Sequence, residues 1–250
     1  MRATTVRFGD ALWGLVEREA RRDGVSAAQY IRDATILRTA YAMGQRGDPG
    51  FEEAIDRLAG FEEPAPTTPL DSSRRRALLD AAAVAKDVGR LEALEATGLL
   101  DSDVAPEFDR LARLASHVLQ APVALVSLVD EDRQFFKSCL GLPEPWASQR
   151  GTPLTHSFCQ HAVAIREPLI VSDARAHPVL AGNPAIRELG VVAYAGIPLI
   201  EEDGHALGTL CVIDSRPRHW TAHQIDLLSD IAASVVTEIS LARAAVAERH

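Results

Sequence analysis

Cysteine is scarce in this chain. Cys139, Cys159 and Cys211 are an odd number set far apart, which excludes a disulfide framework and fits a reduced, cytoplasmic setting. No CxxC or HxxxH spacing joins His156, Cys159, His161 and Cys211, so neither a metal centre nor a resident cofactor is expected. Long apolar runs are missing as well. Nothing approaches the about 18 residues of a membrane helix. Arg7, Asp10, Glu17 and Arg18 break up the N-terminus, so no signal peptide and no membrane contact are expected. Positive charge is in deficit. A formal net charge of −9 excludes wholesale coating of nucleic acid. No internal repeat is visible. What is present is ordinary globular material: 250 residues, 47% hydrophobic and 24% charged, enough for one or two domains with a buried core.

Residues 1–46 read as a small separate unit. Thr4, Val6 and Phe8 alternate with Ala3, Thr5 and Arg7, as in a short strand. A helix follows from about Asp10 to Arg22, with Leu12, Trp13, Leu15, Val16 and Ala20 on its apolar stripe, and Asp23-Gly24 stops it. Ser26 and Gln29 form a capping box for a second helix that buries Tyr30, Ile31, Ala34, Ile36, Leu37 and Tyr41. Eight arginines against five carboxylates give this unit a charge of +3. Strand, helix, Gly24-Val25-Ser26 turn and helix together resemble the ribbon-helix-helix family of DNA-binding proteins. That resemblance implies a homodimer whose paired strands enter the major groove of double-stranded DNA. Ala3, Thr5 and Arg7 would then face base edges, and the helix start at Ser26, Ala27 and Ala28 would hold a phosphate. A strand of this length buries little alone, which independently asks for a second copy.

Residues 47–87 read as a connector. Gly47-Asp48-Pro49-Gly50 punctuates the chain, and Glu62 to Pro69 is a proline-rich extended spacer. Ser72 or Ser73 is expected to cap one helix running through Lys86, with Arg74-Arg75-Arg76 as a solvated basic cluster.

The remaining residues, 88–250, show the strongest local signals. Pro106–Leu119 has helical periodicity, with Phe108, Leu111, Leu114, Ala115 and Val118 on one face. Val123–Asp130 is apolar on both faces, so a central strand covered from two sides is expected, paired with Gln134–Leu140. Gln149–His156 reads as a loop, and Ser157–Ile165 as a short helix carrying Cys159 and His161. Leu169–Ser172 is a β-branched run ending at Asp173. Ala193–Ile200 and Ala206–Asp214 are strands joined by a turn at Asp203-Gly204, a hairpin signal. A last helix starts at Thr221 and runs to about Glu248. The Phe158-Cys159 pair, the run Tyr194-Ala195-Gly196-Ile197-Pro198-Leu199 and the run Leu207 to Asp214 resemble the GAF family of small α/β sensor domains, over about 88–249. The resemblance implies an α+β fold, an antiparallel sheet flanked by helices, preceded here by the ribbon-helix-helix unit and the connector. It also implies a small-molecule pocket on one sheet face, carried onto Phe136, Phe158, Cys159, His161, Asp173, Tyr194 and Thr209.

Catalysis is not expected from these residues. Cys159 and His161 are two apart and point about 200° away from each other on a helix, too divergent for a nucleophile and its base. Cys211 reads as a small hydrophobe within a buried strand. Nothing basic adjoins any of the three thiols, so no depressed thiol pKa is expected. The functional expectation is a dimeric, signal-responsive DNA-binding transcriptional regulator in which the GAF domain modulates the reader. The alternative is a non-enzymatic protein-interaction module, antitoxin-like or a signalling scaffold, whose GAF domain binds no ligand. A phosphorelay fragment is the weakest reading, because the chain ends at His250 without a further module.

Overall fold

The computed structural model describes residues 9–22, positions 27, 30, 31, 34, 35 and 38, and residues 71–248. The chain divides into two compact units, Met1–Glu62 and Glu63–His250. In the first unit α1 spans Asp10–Arg22, as its periodicity requires. Ala20 is buried, whereas Leu12, Trp13 and Leu15 of the expected stripe are exposed. Trp13 Nε1 donates to Glu17 Oε1 one turn on. The strand expected at Thr4–Phe8 and the positions Ala3, Thr5, Arg7, Ser26 and Ala28 lie outside the described residues; Ala27 is helical.

The second unit is built on a six-stranded antiparallel sheet in the order β3-β2-β1-β6-β5-β4. Its strands are β1 Val123–Val129, β2 Arg133–Leu140, β3 Gly151–Pro153, β4 Leu169–Val171, β5 Ala193–Ile200 and β6 Ala206–Asp214. The β5–β6 hairpin turns at Gly204, where φ is +87° and a side chain would be strained. β6 is buried along its whole length except Asp214. That matches its unbroken apolar sequence, since a strand with no polar face must be covered on both sides.

Strand alternation sorts the side chains into two layers. On one face Ala124, Val126, Leu128, Ala195, Ile197, Leu210 and Val212 join the helices α4 Val88–Glu95, α5 Pro106–Leu119 and α9 Ala222–Ala247 in a single apolar core. Pro106 opens α5 where its missing N–H costs nothing, and Thr221 with Gln224 forms a complete capping box for α9. On the opposite face Leu125, Val129, Phe136, Tyr194, Cys211 and Ile213 pack beneath α7 Cys159–Ile165. Outside α7 lie α2 Ser72–Leu79 and α3 Ala81–Ala85, which contribute Leu78 and Ala85 to the same core.

Two local expectations are corrected here. The single helix through Lys86 is two helices that break at Asp80, and its cap is Asp71, whose side chain accepts from the Arg74 N–H, rather than Ser72 or Ser73. Glu167 pairs with Arg74 of the expected solvated cluster and so ties α2 to the chain just after α7. The expected loop at 149–156 contains the last residue of the short helix α6 Trp146–Gln149, the edge strand β3 and a 3-10 turn over Leu154–His156. A three-residue strand containing glycine and proline has no periodicity to betray it; its pairing with Arg133, Gln134 and Phe135 defines it.

The centre of the sheet depends on one missing side chain. A Cβ at Gly208 of β6 would stand 1.9 Å from the Ser127 carbonyl oxygen of β1. Gly208→Ala is expected to lower stability by about 3 kcal/mol by forcing these strands apart, read as a lower denaturant midpoint with secondary structure retained below it.

Candidate functional site

The layer beneath α7 holds the two fully buried thiols of the described core. β5 and β6 pair Gly196 with Cys211, and β1 and β6 pair Ser127 with Thr209, so these residues share one face. Tyr194, two residues before Gly196, lies down along the strand. A Cβ on Gly196 would meet the Tyr194 hydroxyl at 2.1 Å, so glycine is what lets the phenol lie there. The Tyr194 ring stacks obliquely on Phe158, with centroids 5.4 Å apart, and its hydroxyl donates to Cys159 Sγ at 3.6 Å. Cys159 Sγ stands 3.9 Å from Cys211 Sγ. All four of these side chains are buried.

Burial alone would push both thiols upward. Instead the Cys159 thiol is drawn down, chiefly by its hydrogen bond with Cys211 and against burial, with smaller help from Tyr194. Cys211 moves the other way, first because it donates that bond and then through burial. The expectation that no thiol is acidified is therefore corrected. The agent is a second thiol brought in by the fold, not a basic neighbour in sequence. Tyr194 is raised as well, by burial and then by the nearby sulfurs. Thr209 Oγ1 is buried and reaches no partner in normal hydrogen-bond geometry.

A connected run of polar side chains borders the sulfurs. Ser157 Oγ donates to Gln134 Oε1 at 2.6 Å, Gln134 Nε2 donates to Thr152 Oγ1 at 2.7 Å, and Ser127 Oγ reaches Gln134 Oε1 at 3.5 Å. Gln160 Nε2 in turn donates to the Leu154 carbonyl. Sequence reasoning missed Ser127, Gln134, Thr152, Ser157 and Gln160. Gln134 and Ser127 were legible only as polar residues inside strands that read as apolar.

Of the seven positions carried over from the family, the structure brings Phe136, Phe158, Cys159, Tyr194 and Thr209 to this layer. Two others go elsewhere. His161 turns outward from the sheet, and its Nδ1 stands 2.9 Å from the Leu78 carbonyl at the end of α2. A carbonyl only accepts, so the ring carries its proton on Nδ1. Burial pulls His161 down to about 4, against the Leu78 hydrogen bond and with a small push from His177. Asp173 caps the 3-10 turn after β4 and binds Arg175 through two side-chain hydrogen bonds at the surface, which holds its carboxyl below the usual range. No group of three His, Cys, Asp or Glu side chains among the described residues is placed to hold a metal ion. No helix among them is long and apolar enough to cross a membrane.

This fold, with its two helix layers and inner polar face, defines the class of protein. The GAF domain model matches residues 103–239, more than half of the chain, and the protein belongs to the GAF family. A curated relative, the cyclic di-GMP phosphodiesterase PA2567 of Pseudomonas aeruginosa, is 34% identical over 148 residues, 58% of this chain. The chain spans 24% of that relative's length. Among solved structures, the GAF domain of a phosphoenolpyruvate-protein phosphotransferase from Coxiella burnetii is 20% identical, covering 63% of this chain and 96% of that one, with a TM-score of 0.49. The free methionine-R-sulfoxide reductase of Neisseria meningitidis is 17% identical over 69% of this chain and 91% of that one, at 0.46.

These findings overturn two expectations. The DNA-binding regulator is set aside, because the curated relative carries the name of a cyclic di-GMP phosphodiesterase. The expectation of no link to catalysis, common to both sequence readings, is set aside on the same ground. The physical reason for the error is plain. The inference rested on the N-terminal segment, while the information-rich part of the chain is the GAF domain.

Two measurements probe the layer. Because the folded pKa of His161 lies near 4, below the ordinary 6.5, the stability it contributes is complete above about 6.5 and is withdrawn as pH falls from there toward about 4. The melting temperature is expected to fall over that window, and His161→Gln, which keeps a donor for Leu78, is expected to flatten the fall. Thr209→Val replaces an unpaired hydroxyl with a methyl of the same shape, and equilibrium unfolding should place it within about 1 kcal/mol of the parent or above it.

Proposed function

We propose that this chain supplies the sensory domain of a cyclic di-GMP phosphodiesterase system, its GAF domain coupling a small-molecule or chemical signal to turnover of that dinucleotide. The observation that carries this reading is the 34% identity with the Pseudomonas aeruginosa phosphodiesterase, which falls on 148 residues and includes 24% of that protein. A match confined to part of a larger enzyme is what a shared input domain would give. The inner layer supports the reading from the physical side. Phe136, Phe158, Cys159, Tyr194 and Thr209 pack together on that face, so a ligand taken up there has to displace the Tyr194 ring from over Gly196. Such a ligand acts only through a difference in affinity between two arrangements of the domain. The route outward is short, since α7 carries Cys159 on its sheet side and His161 against the end of α2.

The test is a domain exchange. The matching segment of this chain replaces its counterpart in the Pseudomonas aeruginosa phosphodiesterase, and cyclic di-GMP hydrolysis is followed by chromatography. The chimera is expected to hydrolyse faster or slower than the enzyme with the segment deleted, and Tyr194→Phe in the chimera is expected to change that rate. A chimera identical to the deletion, with or without Tyr194→Phe, would sink the reading.

A further inference from the structure

We propose that Cys159 and Cys211 form a peroxide-oxidisable dithiol, closing to an intramolecular disulfide that bolts α7 to the central strand β6. This is independent of the cyclic di-GMP reading, because it rests on the thiols alone.

Two thiols separated by 52 residues in sequence come within 3.9 Å at their sulfurs. A disulfide requires about 2.05 Å, so closure takes side-chain rotation together with movement of the start of α7 toward β6. The two are not equivalent. Cys159 accepts a hydrogen bond from the Tyr194 hydroxyl with Cys211 Sγ beside it, a setting that favours its thiolate, the form that attacks peroxide. The Tyr194 hydroxyl has a single proton and gives it to Cys159, so Cys211 stands as the resolving thiol. Cys139 differs from both: it is half-buried on β2, and burial raises its pKa.

The chemistry balances with hydrogen peroxide as the oxidant. The Cys159 thiolate attacks one peroxide oxygen, the O–O bond breaks, and a sulfenic acid forms as hydroxide departs and takes up a proton as water. Cys211 Sγ then attacks the Cys159 sulfur. The S–O bond breaks, the S–S bond forms, and a second water leaves with the Cys211 proton. Two electrons pass from the sulfur pair to the peroxide. Both thiols are buried, so peroxide reaches them through opening of the cover that α7 forms with α2 and α3.

The same geometry couples the bond to the rest of the domain. Pulling the start of α7 toward β6 draws on the His161 bond to the Leu78 carbonyl, which holds α2 to α7, and on the ion pair from Arg74 to Glu167, which holds α2 to the chain just after α7. Oxidation is thereby felt over residues 72–85, on the N-terminal side of the sheet.

The experiment treats the purified full chain with hydrogen peroxide, then alkylates it in denaturant and maps the cysteines by peptide mass spectrometry. The expected product is a peptide pair joined through Cys159 and Cys211, two hydrogens lighter than the reduced pair, with Cys139 alkylated and the bond reversed by dithiothreitol. Cys211→Ser is expected to stop at a Cys159 sulfenic acid that dimedone captures. Cys159 and Cys211 both left alkylatable, or oxidation confined to Cys139, overturns the dithiol. Should Cys211→Ser fail to fold, the unmodified chain alone still decides this. Hydrogen exchange of the oxidised chain is expected to differ from the reduced chain over 72–85, and unchanged exchange there overturns the coupling.

Discussion

The structure depends on β6 having no face that water can reach. Its residues from Ala206 to Ile213 are all buried, with β1 on one edge and β5 on the other. An apolar strand of that kind is stable only between two layers of cover. The layer of α4, α5 and α9 and the opposite layer of α7, α2 and α3 both follow from this demand. So does Gly208, the point where the β1 backbone comes too close for any side chain.

The two layers satisfy the demand with different chemistry. The α5–α9 side is mainly aliphatic and aromatic, and its buried Lys137 and Ser138 find partners in Ser102, the Asp103 carbonyl and Asp109. The α7 side buries two thiols, a phenol, an unpaired hydroxyl and a run of serine, threonine and glutamine side chains. Polar groups out of water cost stability unless each finds a partner, so a core retaining them has a use beyond cohesion. A buried arginine joins this side to the helix before it. Arg90 of α4 donates to the Val129 carbonyl at the end of β1 and to the Ala85 carbonyl at the end of α3, while burial lowers its pKa against the pull of Asp130 and Asp87. The connector helices are therefore fastened at Leu78 by His161 and at Ala85 by Arg90.

Much of the domain was legible because its signals are local. The period of α5, the capping residues of α9 and the Asp203-Gly204 turn of the β5–β6 hairpin each sit within a few residues, and each element appeared where its pattern placed it. Strand β3 was not legible, because three residues carry no period. The break at Asp80 was not legible either, because alanines on both sides favour helix and only the seating of Leu78 and Ala85 on α7 shows where the chain must turn. The functional reading went astray for a different reason. A short motif near the N-terminus carries less information than the GAF pattern, which covers more than half of the chain.

The sequence by itself determined the class of fold, since alternation and turn chemistry are properties of neighbouring residues. It also determined that Cys159 and His161 face opposite ways, because helix geometry fixes the angle between positions two apart. Only the tertiary structure decided that Cys159 meets Cys211, that Tyr194 lies across Gly196, and that His161 reaches the Leu78 carbonyl. Those contacts join residues 52, 2 and 83 positions apart, respectively. The closest of them, between Tyr194 and Gly196, still turns on the Phe158 ring that stacks on the phenol. Such distances and orientations come from strand register and layer packing, which no single stretch of the chain encodes alone.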